Sequence, residues 1–369
     1  MRAGIFADQL FYEQPGGIGT YLRRVIPGVA ASMHGGSLVV GHHGPAGEQA
    51  FPGVGKIEEV HIPVRRDVLG VSWHTLGIPR IERYLGTLDV MHAPSLVFTP
   101  SCAPLVATIH DLCILRYPGA FPSRWRIFHR RGLSMILRHA TAIMVDSKNT
   151  CDDLRSLTGE RDARVRVVPL GVDMPERPAP GLVESVLNKH GLTPGYMLFV
   201  GTIEPRKNLS RLVQAYASFE SSEKAEVGDL VLVGAAGWMG RRELSRILSQ
   251  HGVRWLGYLP QEELDALYAA AGIFVYPSLY EGFGLPVLEA MARGVPVVTS
   301  DSSSLREVGE GVAMLVDPED PMELRKAMRR LSIDGSLRAE LAELGRHRAA
   351  DYSWDRTIAQ TLETYREVQ

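Results

Sequence analysis

Two glutamates, Glu281 and Glu289, flank a Gly-Phe-Gly turn in the segment of the chain that carries the most chemistry. Gly282 and Gly284 allow the backbone to approach a ligand that side chains would block. Pro286 suits the first position of a helix, where its missing N–H costs nothing. The turn therefore directs free amides at the N-terminus of a helix, which is a favourable place for an anion. Because the carboxylates beside it can accept bonds from hydroxyl groups, this segment predicts a site for a sugar that carries a phosphate.

A second candidate site is the loop Gly201–Asn208, which contains Arg206 and Lys207 and directly follows a predicted strand. Arg206 offers a bidentate fork and Lys207 a point charge, and together they could neutralise a diphosphate. The alternative is a solvated loop that ends in a helix cap at Asn208. The position at the carboxyl end of a strand favours a ligand site without establishing one.

An early glycine cluster, Gly16-Gly17-Ile18-Gly19, follows the first predicted strand and opens a helix, so its amides could also meet a phosphate. It does not match the dinucleotide fingerprint, because Leu22 occupies the third glycine position counted from Gly17 and no acid ends the second strand. A nicotinamide-dependent enzyme is therefore disfavoured. The alternative is an ordinary turn at the start of a helix.

His110 ends the apolar run Leu105–Ile109, which reads as a buried strand. A histidine at the carboxyl edge of a strand faces a crevice, although a structural histidine is the usual outcome for a lone residue. Asp111 could bind a hydroxyl or orient the ring, but adjacent residues on an extended chain point to opposite sides. We therefore do not expect a His110–Asp111 dyad.

These groups require parallel sheets to position them, and the chain alternates short apolar runs with amphipathic stretches as repeated βαβ units do. The expected strands of the first half are 3–7, 37–41, 60–63, 90–93, 105–110, 142–146 and 165–169, with helices at 18–31, 74–85, 124–139 and 150–157. The pattern restarts with strands at 196–200, 229–233, 253–255, 273–276, 295–299 and 313–316, and helices at 182–190, 208–219, 241–250, 261–270, 286–292, 321–331 and 354–368. The fold class is α/β, with two doubly wound domains and ligand crevices at the carboxyl ends of the strands. We expect domains at 1–175 (plus the helix 353–369) and 195–352, joined by a proline-rich linker at 176–194.

The composition is that of a globular protein of two domains, with 369 residues, 45% hydrophobic and 22% charged. A formal net charge of −2 gives no overall attraction for nucleic acid. Three scattered cysteines indicate free thiols in a reducing cytosol, and no signal peptide or membrane-spanning run is evident. No metal-ligand spacing, P-loop or Gly-x-Ser-x-Gly elbow occurs, so a P-loop kinase or ATPase is excluded. We expect a cytoplasmic protein that needs neither metal nor cofactor.

The segment 121–139 contains five arginines, no acid and several bulky apolar residues. Such a helix could lie on an anionic membrane surface. The favoured interpretation is an ordinary helix packed on the first sheet, with its arginines in water. We therefore expect at most a weak peripheral contact with the inner face of the membrane.

The chain as a whole resembles the family 4 glycosyltransferases. Four features carry the resemblance: Glu281 to Glu289 with Phe-Gly-Leu-Pro between them, the Gly-Thr-Ile-Glu-Pro-Arg-Lys-Asn loop at 201–208, the early glycine cluster, and the strand that ends in His110-Asp111. The family implies a GT-B fold, with two facing Rossmann-like domains and a last helix that crosses back to the first. It also implies retaining, metal-independent transfer of a hexose from a nucleoside-diphosphate sugar to a glycan, lipid-linked or small-molecule acceptor.

The resemblance also implies roles for individual residues. Arg206 and Lys207 would hold the donor diphosphate, with the amides of Gly282, Phe283, Gly284 and Leu285 and the loop of Gly16 and Gly17. Glu289 would bind the ribose, Glu281 the hydroxyls of the donor sugar, and His110 would lie beside the reacting carbon. Tyr258 lies where the backbone could contact the base. The catalytic set is thus His110, Glu281, Arg206 and Lys207.

The motif around Glu204 favours mannosyltransferase-like members, but the sequence does not specify the sugar, the base, the acceptor or the oligomeric state. Two other functions remain open. A GT-B sugar-nucleotide epimerase shares the architecture, although it lacks the Glu-x7-Glu loop with its paired basic residues. An inactive subunit that binds nucleotide sugars is the other alternative.

Overall fold

The computed structural model describes residues 1–12, 16–45, 47–160 and 163–369. The chain forms two compact units. The first comprises Met1–Gly171 together with Ser353–Gln369, and the second comprises Val172–Tyr352. The segment 176–194, which we expected to be a linker, therefore lies within the second unit.

The first unit is built on a seven-stranded sheet in which all the described strand pairs are parallel, in the order β3-β2-β1-β4-β5-β6-β7. Its strands are β1 (Arg2–Phe6), β2 (Ser37–His42), β3 (Ile57–His61), β4 (Val90–Ala93), β5 (Leu105–Ile109), β6 (Ala142–Val145) and β7 (Val165–Val167). Its helices are α1 (Gly16–Ser32), α2 (Arg66–Thr75), α3 (Glu82–Leu85), α4 (Cys113–Arg116), α5 (Ser123–His139), α6 (Lys148–Thr158) and, from the end of the chain, α16 (Trp354–Val368).

The second unit contains a six-stranded parallel sheet in the order β10-β9-β8-β11-β12-β13. Its strands are β8 (Met197–Val200), β9 (Leu230–Val233), β10 (Val253–Trp255), β11 (Ile273–Tyr276), β12 (Val297–Ser300) and β13 (Met314–Val316). Its helices are α7 (Pro180–His190), α8 (Leu209–Ala217), α9 (Ser221–Val227), α10 (Arg241–Leu248), α11 (Gln261–Ala270), α12 (Leu285–Ala292), α13 (Ser303–Gly309), α14 (Pro321–Ile333) and α15 (Gly335–Ala350).

Each sheet is doubly wound, so its strand order reverses at one point. The reversal falls between β1 and β4 in the first sheet and between β8 and β11 in the second. The central strands β4, β5, β9 and β11 are buried along their whole length, as expected for strands covered by helices on both faces. The loops at the carboxyl ends of the strands that flank each reversal therefore lie side by side, where open α/β sheets bind ligands.

The last helix, α16, packs within the first unit against α1 and the sheet. The hydroxyl of Tyr365 is hydrogen-bonded to Nδ1 of the fully buried His92, at 2.7 Å. The hydroxyl of Thr357 donates to the carbonyl of Pro169 at 2.7 Å. The backbone approach is so close at Gly171 that an added Cβ would lie 2.2 Å from the amide nitrogen of Trp354. The helix is thus held by polar bonds as well as by apolar packing.

All thirteen predicted strands are present, within three residues of the predicted bounds. The helix predicted over 74–85 is wrong. The structure has α2 ending at Thr75 and the short α3 beginning at Glu82, because Gly77 takes a φ of +66° and Pro79 cannot continue the hydrogen bonds of a helix. Helices α4, α9, α13 and α15 were not predicted.

Candidate functional site

The basic motif and the acidic motif of the second unit lie next to each other, at the point where the strand order of its sheet reverses. Arg206 and Lys207 lie in a 3₁₀ turn (Pro205–Lys207) that follows β8, and Glu281 lies in the loop that follows β11. Because β8 and β11 are paired, these loops are neighbours. The amide of Leu279 donates to the carbonyl of Arg206 at 2.8 Å, which ties one loop to the other.

The carboxylate of Glu281 bridges both cations. Its Oε2 accepts from Nη1 of Arg206 at 2.5 Å, and its Oε1 accepts from Nζ of Lys207 at 2.7 Å. The hydroxyls of Ser278 and Tyr276 also donate to Oε1, at 2.5 and 3.1 Å. Glu281 thus receives four bonds, three of them on one oxygen.

These partners determine the charge of Glu281. Burial alone would raise its pKa, but the attraction of Arg206 and Lys207 and the bonds from Lys207 and Ser278 outweigh burial and lower the pKa to about 2. Glu281 is therefore ionised at neutral pH, although it is only 6% exposed. Glu204 adds a second carboxylate, with its Oε1 2.6 Å from Nε of Arg206.

Lys207 is the most buried cation of this cluster, with 7% of its side chain exposed. Burial and the neighbouring Arg206 lower its pKa, while Glu281 and Glu204 oppose that effect. The two cations thus face two carboxylates, and the net charge of the cluster is close to zero. Removal of either carboxylate would leave an excess of buried positive charge, which is costly.

The loop after Glu281 exposes backbone amides beside this cluster. Gly284 has a φ of +104°, in the left-handed region that favours glycine, and caps α12. Among the described residues, the amides of Phe283, Gly284 and Leu285 have no intramolecular acceptor. Phe283 and Gly284 precede α12 and Leu285 begins it, so these three N–H groups are available to an anion.

Glu289 lies one turn into α12, and in the part of the chain that the structure describes its carboxylate has no hydrogen-bond or ion-pair partner. The guanidinium of the nearby Arg293 is bound to Asp265 at 2.6 Å and to the carbonyl of Glu289 at 2.9 Å. Burial raises the pKa of Glu289 to about 7, Arg293 opposes this, and Asp173 and Asp265 add to it. Glu289 is thus a partly buried acceptor to which hydroxyl groups could donate.

His110 of the first unit is held by two acceptors. Its Nδ1 lies 2.7 Å from Oδ2 of Asp146, and its Nε2 lies 3.1 Å from the carbonyl oxygen of Pro94. Burial acts to lower the pKa of His110, but Asp146 and the carbonyl raise it above the ordinary value. Because both ring nitrogens face acceptors, the ring carries two protons and is a cation. Neither ring nitrogen has a lone pair free to act as a base.

The remaining predicted site residues are exposed to solvent. Gly16 and Gly17 form the first turn of α1, and both are exposed. Tyr258 is exposed in the loop after β10. The structure therefore collects Arg206, Lys207, Glu281, Glu289 and the 282–285 loop in the second unit, and places His110, Gly16 and Gly17 in the first.

Three partners escaped the sequence analysis. Asp146, at the end of β6, is the true acid partner of His110, and Asp111 instead accepts from the amide of Cys113 at 2.9 Å. Tyr276 and Ser278 complete the bonds of Glu281. The sequence contains a signal for Asp146, because this residue ends the strand that follows the strand of His110 along the chain. The order of the strands within the sheet, however, cannot be read from the sequence.

Two doubly wound parallel domains are the architecture of the GT-B class of glycosyltransferases. Residues 186–348 match the family model described as glycosyl transferases group 1, and residues 15–175 match the model described as Glycosyltransferase Family 4. The chain belongs to this family and is a glycosyltransferase that transfers a hexose.

Relatives and solved structures agree with this assignment. The chain is 34% identical over 284 residues to O-antigen chain mannosyltransferase B of Escherichia coli, covering 75% of this chain and 74% of that protein. It is 33% identical over 289 residues to D-inositol 3-phosphate glycosyltransferase of Salinispora arenicola, covering 72% and 63%. Sucrose-phosphate synthase of Thermosynechococcus elongatus superposes with a TM-score of 0.80 at 21% identity, over 100% of this chain and 98% of that one. HepE of Anabaena, solved in complex with UDP and glucose, gives 0.77 at 18% identity, over 100% of both chains.

The family and the fold expected from the sequence are thus confirmed. In the described residues, no helix combines the length and apolar character that crossing a membrane requires.

Proposed function

We propose that this protein is a retaining transferase that moves a hexose of the mannose or glucose type from a nucleoside-diphosphate sugar to a glycan or lipid-linked acceptor, without a metal ion. The mannosyltransferase relative favours mannose. The glucose type is included because HepE was solved with bound glucose. Within this proposal, the second unit holds the donor.

The observation that carries the proposal is the cluster of Arg206 and Lys207 beside the free amides of 283–285. As the glycosidic bond breaks, the departing diphosphate gains negative charge. Fixed cations and oriented N–H groups stabilise that charge without the reorganisation that water would need. In this proposal they perform the task that a divalent cation performs in other transferases.

Glu281 serves in this proposal to hold the cations in position. Its carboxylate is surrounded by Arg206, Lys207, Ser278 and Tyr276, and Oε2 alone retains capacity for a hydroxyl of the donor sugar. The same four bonds make it a poor nucleophile, since its charge is already stabilised. We therefore assign retention to attack on the face from which the phosphate leaves, and not to a covalent glycosyl intermediate.

Glu289 binds the two ribose hydroxyls in this proposal, because its carboxylate is an acceptor without a partner among the described residues. His110 lies beside the transferred sugar in this proposal, with one ring nitrogen bonded to Asp146 and the other to the carbonyl of Pro94. Gly16 and Gly17 supply amides to the diphosphate, and the loop of Tyr258 contacts the base.

The test is a product assay with mannose and glucose donors, each supplied as its UDP, GDP, ADP and dTDP derivative. Transfer requires that free nucleoside diphosphate accumulates in step with a glycosylated acceptor. Interconversion of sugar nucleotides without acceptor would show an epimerase instead. Binding without turnover of any donor in the panel would show a binding subunit.

Two substitutions locate the chemistry. Arg206→Ala and Lys207→Ala should each lower kcat/KM by about 30- to 1,000-fold, which corresponds to roughly 2–4 kcal/mol of lost transition-state stabilisation. Lys326→Ala is the matched control, because Lys326 is exposed on α14 of the same unit. Unchanged kcat/KM in both site variants would remove the diphosphate assignment.

A further inference from the structure

An ion pair between Asp265 and Arg293 lies beside Glu289 and has no role in the function proposed above. Asp265 belongs to α11, and Arg293 caps the C-terminus of α12, four residues after Glu289. Oδ1 of Asp265 accepts from Nε of Arg293 at 2.9 Å and from its Nη2 at 2.6 Å. The pair thus connects the two helices next to the carboxylate to which the proposed function assigns the ribose.

The guanidinium of Arg293 is held on its other sides as well. Its Nη1 donates to the backbone carbonyl of Glu289 at 2.9 Å, so all three guanidinium nitrogens are engaged. Its carbon lies 4.9 Å from the ring centroid of Tyr268, a fully buried residue of α11, which adds a cation–π attraction. Only 10% of the Arg293 side chain is exposed. These contacts fix the guanidinium in one position.

This pairing differs from the one that the local sequence favours. A glutamate and an arginine four residues further along a helix lie on the same face, and this order favours an ion pair between their side chains. The charge of Arg293 does act on Glu289. Among the described residues, however, its guanidinium bonds only to the backbone of Glu289, and the Glu289 carboxylate has no bonding partner. Asp265 therefore binds the guanidinium that the helix by itself would place on Glu289.

A carboxylate that holds an arginine is a poor acceptor for a neutral ligand. Hydroxyl groups would have to displace charge-assisted hydrogen bonds, which are about twice as strong as those between neutral groups. At a largely buried guanidinium, the exchange would also leave a cation without its counterion. Because Arg293 is bound to Asp265, the lone pairs of Glu289 stay available to hydroxyl groups.

We propose that Asp265 is a positioning residue of the nucleotide site, which holds Arg293 away from the Glu289 carboxylate so that ribose hydroxyls can donate to it. Asp265 acts through Arg293 and does not touch the ligand. That the ligand of Glu289 is a ribose rests on the proposed function. The diversion of Arg293 rests on the bonds between α11 and α12 alone.

The test compares each nucleoside diphosphate with an analogue that lacks the ribose hydroxyls. UDP, GDP and their 2′,3′-dideoxy analogues are titrated calorimetrically into the full chain at pH 8, above the pKa of about 7 of Glu289. The variants are Asp265→Asn, Arg293→Gln, their combination and Glu223→Gln. The last is the matched control, because Glu223 joins α9 to Arg325 of α14 and is about as exposed as Asp265.

The parent should bind the ribonucleotide about tenfold or more tightly than its dideoxy analogue, since hydrogen bonds to a charged acceptor are lost. In Asp265→Asn this preference should fall to about threefold or less, because Arg293 turns to Glu289. The combined variant should regain the preference of Arg293→Gln alone to within about twofold, as coupling through Arg293 requires. Glu223→Gln should keep the preference of the parent, whatever its melting temperature.

An unchanged preference in Asp265→Asn would overturn the proposal, and a lower melting temperature beside it would show that the pair only joins two helices. An equal loss from Asp265→Asn with and without Arg293 would overturn it too, because Asp265 would then act directly. Loss of the preference in Arg293→Gln alone would show that Arg293 itself contacts the nucleotide. If Asp265→Asn does not fold, Asp265→Ser is titrated in its place.

A crystal structure of Asp265→Asn gives a second measurement that needs no nucleotide. A guanidinium nitrogen of Arg293 should lie within about 3.5 Å of a carboxylate oxygen of Glu289, and a guanidinium that remains at position 265 would overturn the proposal. If the parent discriminates between the nucleotides and Asp265→Asn does so equally, the proposal fails and the proposed function stands. If the parent binds no nucleotide but Arg293 moves to Glu289 in the crystal, the proposed function fails and the diversion of Arg293 stands.

Discussion

The substitution Glu281→Gln tests the structural basis of the donor site most directly. Glutamine has nearly the same shape and can still accept from Ser278 and Tyr276, but it removes the charge that Arg206 and Lys207 share. Glu204 is then the remaining carboxylate partner of the cluster among the described residues, and one buried positive charge is left uncompensated. The folded state should therefore lose stability even though no atom is removed from the core.

The pKa of Glu281 sets the magnitude. It falls from the ordinary value of 4.5 to about 2 on folding, and each pKa unit corresponds to about 1.4 kcal/mol. Ionised Glu281 therefore contributes about 3 kcal/mol to the folding free energy at neutral pH, in line with roughly 3–5 kcal/mol for breaking a buried ion pair. A group with a lowered pKa contributes fully above 4.5, and the contribution falls as the pH decreases toward 2. At pH 3 it should be less than half of its value at pH 7.

The assay is equilibrium unfolding in urea, followed by circular dichroism and tryptophan fluorescence and fitted with separate transitions for the two units. A double-mutant cycle with Lys207→Met isolates the pair, because the double variant no longer carries the uncompensated ammonium group. The loss in the double variant should be smaller than the sum of the single losses by at least 1 kcal/mol. Asp301→Asn is the control, since Asp301 and Arg306 form an exposed pair in the same unit.

Three results would refute this reasoning. The first is a loss below about 0.5 kcal/mol in Glu281→Gln, which is the scale of an exposed pair. The second is an additive cycle, which would show that Lys207 and Glu281 do not interact. The third is a difference from the parent that stays constant between pH 7 and pH 3.

Glu289→Gln should stabilise the unliganded protein by about 1–3 kcal/mol at pH 8, because folding raises the pKa of Glu289 from 4.5 to about 7, which costs stability progressively between those pH values and in full above pH 7. The same variant should weaken nucleotide binding and abolish any gain in affinity between pH 6 and 8, as calorimetry would show; tighter binding would contradict ribose recognition. His92, whose pKa burial lowers to about 3, should make the first unit lose stability as the pH falls below 6.5, since the unfolded chain takes up the proton first. His92→Gln should reduce that slope by about 1.4 kcal/mol per pH unit, and an unchanged slope would exclude His92 as its source. Gly171→Ala should release α16, because a Cβ would meet the amide of Trp354; limited proteolysis should then cleave the helix faster, and the parent rate would show that the contact is dispensable.

Much of the fold was predictable because its signals are local. The thirteen strands appear as short apolar runs between turns, and burial on both faces makes those runs nearly continuous in the central strands of each parallel sheet. The helix over 74–85 failed for a local reason as well, since Gly77 and Pro79 interrupt it. Helix α15 was missed because its apolar positions are weakly periodic and its packing partner, α12, lies far away in the sequence.

The sequence by itself determined which residue types occur at the ends of which strands. That was enough to single out Arg206, Lys207, Glu281 and Glu289, because glycines, a helix start and paired charges are features of neighbouring residues. It also determined the family, whose motifs follow the same order along the chain.

Only the tertiary structure decided how those residues are paired. The strand order brings the loops after β8 and β11 together, and so Glu281 becomes the counterion of both cations. It likewise places Asp146 beside His110 and leaves Nε2 of His43 without a hydrogen-bond partner among the described residues. Protonation and hydrogen bonding depend on distances of about 3 Å between residues far apart in the chain, and those distances are set by packing of the whole domain.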